Sequence, residues 1–247
     1  MAIRHISPAT IPKDKEDSRL TVVIPAAGMG RRMKSYGPKC LRDVGGISII
    51  ERQIRMIVSA YPNAEIILVS GFHSNQVRDK LKRKYPIRIV NNHRYEDTNV
   101  LYSISLGLQA SLRNKVLIVY GDLVFDREAI RGFFGTEPKV LVDHQDKFNE
   151  KEVGVLHNGN EVTNFSYGLE KKWGQIAFLC GRELEFFEEI ANKESTEKWF
   201  GYEALNHVLE QGGKLSPIER DGLSIVDVDS VRDIEKARKI ILLSKGI

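Results

Sequence analysis

The sequence predicts an α/β fold: a single-domain, Rossmann-like mixed sheet, mostly parallel, with helices on both faces and an antiparallel extension. Short apolar runs of strand length alternate with helix-length amphipathic segments in the first half of the chain. Such alternation is typical of a parallel sheet that is covered on both faces. The second half instead contains short strands separated by turn residues such as Asn158-Gly159, which is typical of antiparallel pairing.

The first half supplies the parallel part of the predicted sheet. We predict strands at Leu20 to Ala26, Glu65 to Val69, Ile87 to Val90 and Lys115 to Val119. Helices are predicted at Ile47 to Val58 and Ser74 to Lys84. A third helix, which Thr98 can cap, carries a stripe formed by Leu101, either Ile104 or Ser105, and Leu108.

The second half supplies the antiparallel strands and the last helices. Strands are predicted at Lys139 to Val142, Glu152 to Leu156, Glu161 to Phe165, Gln175 to Leu179 and Leu223 to Val226. Helices are predicted at Glu183 to Ala191 and Tyr202 to Glu210. The last helix begins after Ser230, where Asp233 completes a capping pair, and runs to about Leu243. We expect the antiparallel strands to extend the edge of the sheet.

Composition favours a protein that acts on small anionic molecules. The 247 residues include 37 basic and 33 acidic side chains, a net charge of +4 spread along the chain. A nucleic-acid-binding protein would more often show a basic stripe with interleaved aromatic residues. Cys40 and Cys180 have no metal-binding spacing and fit a reducing compartment. No apolar run approaches the length of a membrane span, so we expect a cytoplasmic protein without nucleic-acid or membrane partners.

The strongest motif follows the first strand: Pro25-Ala26-Ala27-Gly28-Met29-Gly30-Arg31-Arg32-Met33, and then Pro38-Lys39-Cys40-Leu41. Small residues there let backbone amides approach a polyphosphate, and Arg32 and Lys39 add cations. A dinucleotide-binding loop would require a small residue at position 33, where Met33 stands. A Walker loop would require Gly-Lys-Ser or Gly-Lys-Thr, which the motif lacks. We expect Ala26, Ala27, Gly28, Met29 and Gly30 to contact a nucleotide.

The pattern Ala-Ala-Gly-x-Gly-x-Arg with a downstream Pro-Lys-x-Leu resembles the signature of the sugar-phosphate nucleotidyltransferase superfamily. Within it, the chain is most similar to choline-phosphate cytidylyltransferases and to enzymes that activate phosphonates or aminoalkyl phosphates. The resemblance runs from about Leu20 to Ile241 and includes Tyr95 to Ser103, Tyr120-Gly121-Asp122, Trp173-Gly174-Gln175 and Ile225 to Asp233. It implies a nucleotide-binding half at 20–135 and an acceptor-binding half at 136–247, preceded by a polar extension at 1–19.

Two aspartates far apart in sequence are candidates for a metal site. Asp122 closes a strand, and ligands of such sheets lie beyond the carboxyl ends of the strands. Asp229 lies between a strand and a capped helix, also at the end of an element. Carboxylates that converge in space suit Mg²⁺ bound to a triphosphate, and the resemblance implies that these two hold it. Asp227 is the alternative to Asp229.

Recognition of the base is expected after the second and third parallel strands. Gly71 would let backbone groups reach the ring, and the resemblance implies that Asn99 and Ser103 contact cytosine or its ribose. Gly121, beside Asp122, is included among the nucleotide-binding residues. The alternative is that Asn99 caps a helix and Ser103 lies on its surface.

The acceptor pocket is predicted around Trp173, Trp199, Phe200 and Tyr202, with Glu203 and Asp143 as carboxylates. Aromatic faces with a carboxylate suit a cationic head such as choline or an alkylammonium. The alternative is that these aromatic residues belong to the core.

These features predict an Mg²⁺-dependent transfer of CMP from CTP to a small phosphorylated or phosphonate acceptor, with Lys39 and Arg32 as catalytic cations. No histidine has a spacing that suggests a catalytic or metal-binding role. A sugar-phosphate or alditol-phosphate acceptor is one alternative. A glycosyltransferase that uses Asp227-Val228-Asp229, and a non-catalytic relative, are others. The sequence leaves the oligomeric state open, with a homodimer as one option.

Overall fold

A computed structural model of the chain describes residues 20–30, 37–112, 114–143, 152–220, 223 and 225–244. The described strands are β1 Thr21–Ala26, β2 Glu65–Ser70, β3 Arg88–Asn91, β4 Lys115–Val119, β5 Leu123–Phe125, β6 Lys139–Asp143, β7 Val153–Asn158, β8 Glu161–Tyr167, β9 Lys172–Cys180, β10 Ser216–Glu219 and β11 Ile225–Asp227. The described α-helices are α1 Ile49–Ala60, α2 Ser74–Leu81, α3 Val100–Ala110, α4 Gly181–Ala191, α5 Gly201–Glu210 and α6 Val231–Ser244.

The main sheet has the strand order β10-β6-β9-β4-β1-β2-β3, and the β7-β8 hairpin joins it at β9. The strands β4, β1, β2 and β3 pair in parallel, as do β10 and β6. The predicted fold class, a mostly parallel mixed sheet with an antiparallel part, is therefore confirmed.

Helices cover both faces of the sheet because the side chains of β1 alternate. Val22 and Ile24 pack in one core with α1 and α2, whereas Val23 packs in the other core with α3, α4 and α5. A third, smaller cluster packs α6 against β5 and against the segment that precedes α6. None of the described helices is long and apolar enough to cross a membrane.

The position of β9 differs from the prediction, which put the antiparallel strands at the sheet edge. β9 lies inside the sheet, antiparallel to both β4 and β6. All its residues except Gln175 are buried. The second half of the strand is therefore apolar throughout, without the alternation of apolar and polar residues found in a half-exposed strand. Only the β7-β8 hairpin extends the sheet in the predicted manner.

The predicted cap of α3 is also wrong. The hydroxyl of Thr98 donates to Arg94 O at 2.7 Å and closes the turn before the helix. Asn99 then occupies the N-cap position, one residue later.

Two short strands were not predicted, and one of them shapes the site. β5 pairs antiparallel with β11, and Asp227 lies opposite Leu123. This pairing brings the chain after residue 225 back to the end of β4, 100 residues earlier in the sequence.

Candidate active site

A cleft with a volume of about 1040 Å³ opens at the carboxyl ends of β1 and β4. Its lining includes the loop after β1, the turn after β4, the start of α3, part of β9 and the segment around β11. This is the edge of the sheet at which ligands bind in open α/β folds. The volume is in the range of sites that bind small molecules and cofactors.

Three carboxylates and one ammonium form the polar centre of the cleft. Lys39 Nζ lies 2.6 Å from Asp122 Oδ2, 2.6 Å from Asp229 Oδ1 and 3.3 Å from Asp227 Oδ1. One oxygen from each aspartate lies within 4.8 Å of the others. The structure thus brings together Asp122 and Asp229, as predicted, and it adds Asp227, which sequence reasoning treated as an alternative.

The backbone after β4 explains where Asp122 lies. Gly121 N donates to Pro25 O at 3.1 Å, so the turn is held against the end of β1. A Cβ at Gly121 would lie 2.7 Å from Ala26 Cβ and 2.8 Å from Pro25 O. Only glycine permits this close approach, which directs the following carboxylate into the cleft.

The extended backbone around β11 explains the other two carboxylates. Val228 N donates to Asp122 O at 3.0 Å, which ties this segment to the turn after β4. Val228 itself is fully buried in the cluster with α6. In an extended chain, residues on either side of a buried residue face the opposite way, so Asp227 and Asp229 both face the cleft.

Electrostatics couple these four groups. Burial raises the pKa of Asp227 to about 7, and repulsion from Asp122 acts in the same direction. For Lys39, burial by itself would lower the pKa of the ammonium. Attraction to Asp122, Asp227 and Asp229 outweighs burial and raises that pKa above its ordinary value. The ammonium is therefore fully charged.

Gln175 holds Asp227 in place at a conformational cost. Its Nε2 donates to Asp227 Oδ2 at 3.1 Å. Its backbone φ is +55°, a left-handed conformation that is unfavourable for a residue with a side chain. Such strain inside a buried strand is characteristic of functional sites.

The donor set fits a hard divalent cation. Asp122 Oδ1 is buried and has no hydrogen-bond partner. The cluster carries three carboxyl groups against the single ammonium of Lys39, so its negative charge exceeds its positive charge. Oxygen ligands with excess negative charge are those that Mg²⁺ and Ca²⁺ prefer.

The glycine-rich loop lines the cleft beside this cluster. Ala26, Ala27, Gly28, Met29 and Gly30 all contribute to the lining. Gly30 has a φ of +56°. A Cβ added there would lie 3.2 Å from an Arg42 guanidinium nitrogen and 3.5 Å from Lys39 Cβ. Arg32, the other predicted catalytic cation, lies outside the described residues.

The predicted base-recognition residues divide into two groups. Asn99 and Ser103 line the cleft, at the N-cap and in the first turn of α3. Asn92, which was not predicted, is buried and donates to Ser103 Oγ at 3.1 Å. Gly71 does not line the cleft. A Cβ there would lie 2.7 Å from Tyr95 Cβ and 2.8 Å from Ala27 Cβ, so this glycine serves close packing.

An aromatic group lines the cleft beside the start of α3, where Asn99 Nδ2 donates to Lys198 O at 2.6 Å, two residues before Phe200. Phe200 and Tyr202 stack with ring centroids 6.1 Å apart, and Tyr167 meets Tyr202 edge-on at 5.7 Å. Phe200 is 45% exposed and Tyr167 is 47% exposed, so these rings are not core residues. Trp173 lines the same region but is buried, and its Nε1 has no hydrogen-bond partner.

Two predicted acceptor residues lie elsewhere. Asp143 is buried at the end of β6, opposite Lys172 in β9, and is not part of the lining. Glu203 accepts a hydrogen bond from Phe200 N at 2.7 Å at the start of α5, and it also lies outside the lining. Its carboxylate is occupied as a helix cap because an acidic residue at the third position satisfies a free amide.

Several lining residues were not singled out as site residues from the sequence, among them Asn92, Glu152, Tyr167, Lys172 and Gln175. Glu152 Oε1 accepts a hydrogen bond at 2.5 Å from Nζ of Lys172, the first residue of β9. Among these, only Gln175 carried a signal in the sequence, because it belongs to the Trp173-Gly174-Gln175 motif of the resemblance. The others depend on tertiary contacts.

Comparison with known proteins assigns the chain to a family. The model of the MobA-like NTP transferase domain matches residues 22–184, which is more than half of the chain. The chain therefore belongs to this nucleotidyltransferase family, and the resemblance drawn from the glycine-rich loop is confirmed.

Cytidylyltransferases are among its relatives. The choline-phosphate cytidylyltransferase of Streptococcus pneumoniae is 26% identical over 234 residues, which cover 90% of this chain and 98% of that protein. The bifunctional IPC transferase and DIPP synthase of Rubrobacter xylanophilus is 25% identical over a match that covers 88% of this chain and 51% of that protein. The bifunctional protein GlmU of a Synechococcus species is 33% identical, with 73% and 26% covered. The chain thus spans about half or less of these bifunctional relatives.

Solved structures share the fold. The CTP:phosphocholine cytidylyltransferase of Streptococcus pneumoniae superposes with a TM-score of 0.73 at 23% identity, covering 90% of this chain and 99% of that one. The inositol-1-phosphate CTP transferase of T. maritima gives a TM-score of 0.75 at 19% identity, with 91% and 96% covered.

Proposed function

We propose that this protein transfers CMP from CTP to a small phosphorylated or phosphonate acceptor with a cationic head, phosphocholine-like or an aminoalkyl phosphonate, and releases pyrophosphate. The observation that carries the proposal is the cluster of Lys39 and three aspartates, which lines one cleft together with the glycine-rich loop and an aromatic group. The loop and cations suit a triphosphate, whereas the aromatic rings suit an organic cation.

The reaction requires no general base from the protein. An anionic oxygen of the acceptor forms a bond to the α-phosphorus, and the bond from that phosphorus to the bridging oxygen breaks. Pyrophosphate leaves with the electron pair. None of the described residues that line the cleft is a histidine, which agrees with a nucleophile that needs no deprotonation. Catalysis then depends on positioning and on neutralisation of charge.

Residues of this chain have separate tasks in the proposed reaction. Backbone groups from Ala26 to Gly30 hold the phosphates, and Lys39 neutralises charge near the α-phosphate. Asp122, Asp227 and Asp229 would hold Mg²⁺, which when bound supplies Lewis-acid polarisation of a phosphoryl oxygen. Arg32 is proposed, from its place in the motif, to bind the departing pyrophosphate.

Specificity is assigned to two neighbouring groups of residues that line the cleft, one at the start of α3 and one around Phe200. The side chains of Asn99 and Ser103 suit the polar edge of a pyrimidine and its ribose. The buried amide of Asn92 already bonds Thr98, Ser103 and Arg94, so it positions Ser103. The rings of Phe200, Tyr202 and Tyr167, which line the same cleft, offer faces to an ammonium. This combination supports a cationic acceptor over an uncharged polyol.

A substrate panel tests the proposal. Pyrophosphate release would be measured with CTP, UTP, ATP and GTP, each combined with phosphocholine, 2-aminoethylphosphonate, phosphoethanolamine, inositol 1-phosphate, ribitol 5-phosphate and glucose 1-phosphate. We expect release with CTP and a phosphorylated or phosphonate amine. Release only with sugar or polyol phosphates would favour the alternative acceptor class. Activity that requires a nucleotide-sugar donor would contradict nucleotidyl transfer.

A further inference from the structure

The ammonium of Lys39 occupies the place that a divalent cation would need. It lies 2.6 Å from oxygens of both Asp122 and Asp229, and 3.3 Å from an oxygen of Asp227. Mg²⁺ bound by those same oxygens would sit about 2.1 Å from each ligand. Two cations cannot share that volume, because they would overlap and repel each other.

The ammonium is an incomplete occupant of this cluster. It brings one positive charge to three carboxylates, and Asp122 Oδ1 remains buried without a hydrogen-bond partner. A permanent structural ion pair usually satisfies the buried oxygens of its members. A divalent cation would supply a second positive charge, so the cluster is better matched to such an ion than to the lysine.

The ammonium of Lys39 can also lie near the glycine-rich loop. Its Cβ lies 3.5 Å from the position that a Cβ at Gly30 would take, so the side chain begins beside the glycine-rich loop. Three flexible carbons, Cγ, Cδ and Cε, separate this Cβ from the ammonium nitrogen, and rotation about their bonds can redirect the charge. A triphosphate on the loop would attract the ammonium away from the aspartates.

We propose that Lys39 is the resting occupant of the metal site, and that a divalent cation binds only after a bound triphosphate has drawn the ammonium out of the aspartate cluster. This inference rests on the proposed function, since it assumes a triphosphate in the cleft. It makes metal and nucleotide binding mutually dependent: the nucleotide opens the metal site, and the metal then prevents return of the lysine. Linkage requires each ligand to raise the affinity of the other by the same factor.

Binding of Mn²⁺ without nucleotide tests the inference, with electron paramagnetic resonance of free Mn²⁺ as the readout. The full chain would be compared with Lys39→Met and Lys39→Gln, after circular dichroism has shown that each is folded. We expect Lys39→Met to bind Mn²⁺ about tenfold more tightly than the wild type, within the usual range of coupling between sites. Equal affinities would overturn the inference. If one lysine variant does not fold, the other gives the same comparison.

Arg42→Met is the matched control for lost charge. The guanidinium of Arg42 feels the charges of Asp229 and Asp122 but makes no hydrogen bond to either. Its removal changes the net charge as Lys39→Met does, without emptying the metal position. We expect its Mn²⁺ affinity to stay within about threefold of the wild type, well below the coupling expected for Lys39. A gain as large as that of Lys39→Met would overturn the inference, because bulk charge would then explain both.

The outcomes separate this inference from the proposed function. Equal Mn²⁺ binding in wild type and Lys39→Met, together with pyrophosphate release from CTP, would remove the lysine's role and leave the reaction intact. Tighter Mn²⁺ binding by Lys39→Met, without any CTP-dependent release of pyrophosphate, would support the role of the lysine and contradict the proposed reaction.

Discussion

At the scale of single residues, the aspartate cluster determines what the cleft can do. Asp122 contributes one oxygen to the ammonium of Lys39 and keeps a second oxygen buried without a partner. Gln175 and Lys39 both contact Asp227, so its position depends on two side chains from distant segments. Changes at this scale should therefore alter chemistry more than they alter the fold.

Asp122→Asn should reduce kcat/KM for pyrophosphate release about a hundredfold or more, because the amide keeps the shape but removes the charge. Steady-state kinetics with CTP and the best acceptor would measure the effect. Asp79→Asn, an exposed change on α2, is the control and should leave kcat/KM unchanged. Near-normal turnover of Asp122→Asn would remove this carboxylate from the mechanism.

The pH dependence of stability should reveal Asp227. Its pKa is raised from 3.8 to about 7 by burial first and by Asp122 next, so the folded protein holds this proton more tightly than the unfolded chain. The resulting stabilisation is complete below the unfolded pKa and is lost as pH rises through about 7. Urea unfolding without metal should show this as a difference between Asp227→Asn and the wild type. Between about pH 5 and about pH 8, the free energy of unfolding of the variant should rise relative to that of the wild type by more than about 1.4 kcal/mol. Parallel curves would contradict the raised pKa.

Gln175 allows the conformational cost of the site to be measured. Gln175→Gly and Gln175→Ala both lose the hydrogen bond to Asp227, but only glycine relieves the left-handed backbone. We expect the glycine variant to be more stable than the alanine variant by about 1 kcal/mol. Both should be less active than the wild type. Equal stability of the two variants would show that the backbone is not strained.

At the scale of elements, close approach of the turn after β4 to β1 fixes where the carboxylate lies. Gly121→Ala would force a methyl group against Ala26 and Pro25 O, so we expect a loss of at least about 1 kcal/mol of stability together with a fall in kcat/KM. Thermal unfolding and pyrophosphate release would be measured in parallel. Gly135→Ala is the control, since a Cβ there meets its neighbours at ordinary contact distances of 3.6 Å or more.

Element prediction from the sequence succeeded where local pattern decides the structure. The alternation of apolar and amphipathic segments gave the parallel strands and their helices, and the pair Ser230 and Asp233 gave the start of α6. The position of β9 and the existence of β5 could not be predicted. A buried apolar run such as the second half of β9 looks the same in sequence wherever the strand pairs, and a three-residue strand depends on its partner.

At the scale of the whole molecule, one cleft collects residues from both halves of the chain. The glycine-rich loop and Asp122 come from the first half, whereas the aromatic group and Asp227 come from the second. We retain as a proposal that the first half chiefly binds the nucleotide and the second half chiefly binds the acceptor. Substitutions of nucleotide-binding and of acceptor-binding residues should then affect the two substrates separately.

Phe200→Leu keeps an apolar side chain but removes the aromatic face. We expect the KM for a cationic acceptor to rise about threefold or more, as befits an exposed cation–π contact, while the KM for CTP stays unchanged. Phe134→Leu, an exposed phenylalanine away from the cleft, should change neither constant. Equal changes in the KM for the acceptor and the KM for CTP in Phe200→Leu would contradict a separate acceptor-binding group.

The sequence by itself determined the class of the fold, the family through its glycine-rich loop and Pro-Lys pair, and two aspartates of the cluster. These features are encoded locally, in residue types at fixed spacing. Tertiary structure alone decided that Asp227 joins Asp122 and Asp229, that Lys39 lies among them, and that Gly71 and Glu203 serve packing and capping. Pairing of β5 with β11 brings together groups about 100 residues apart, and no local pattern specifies such a distance.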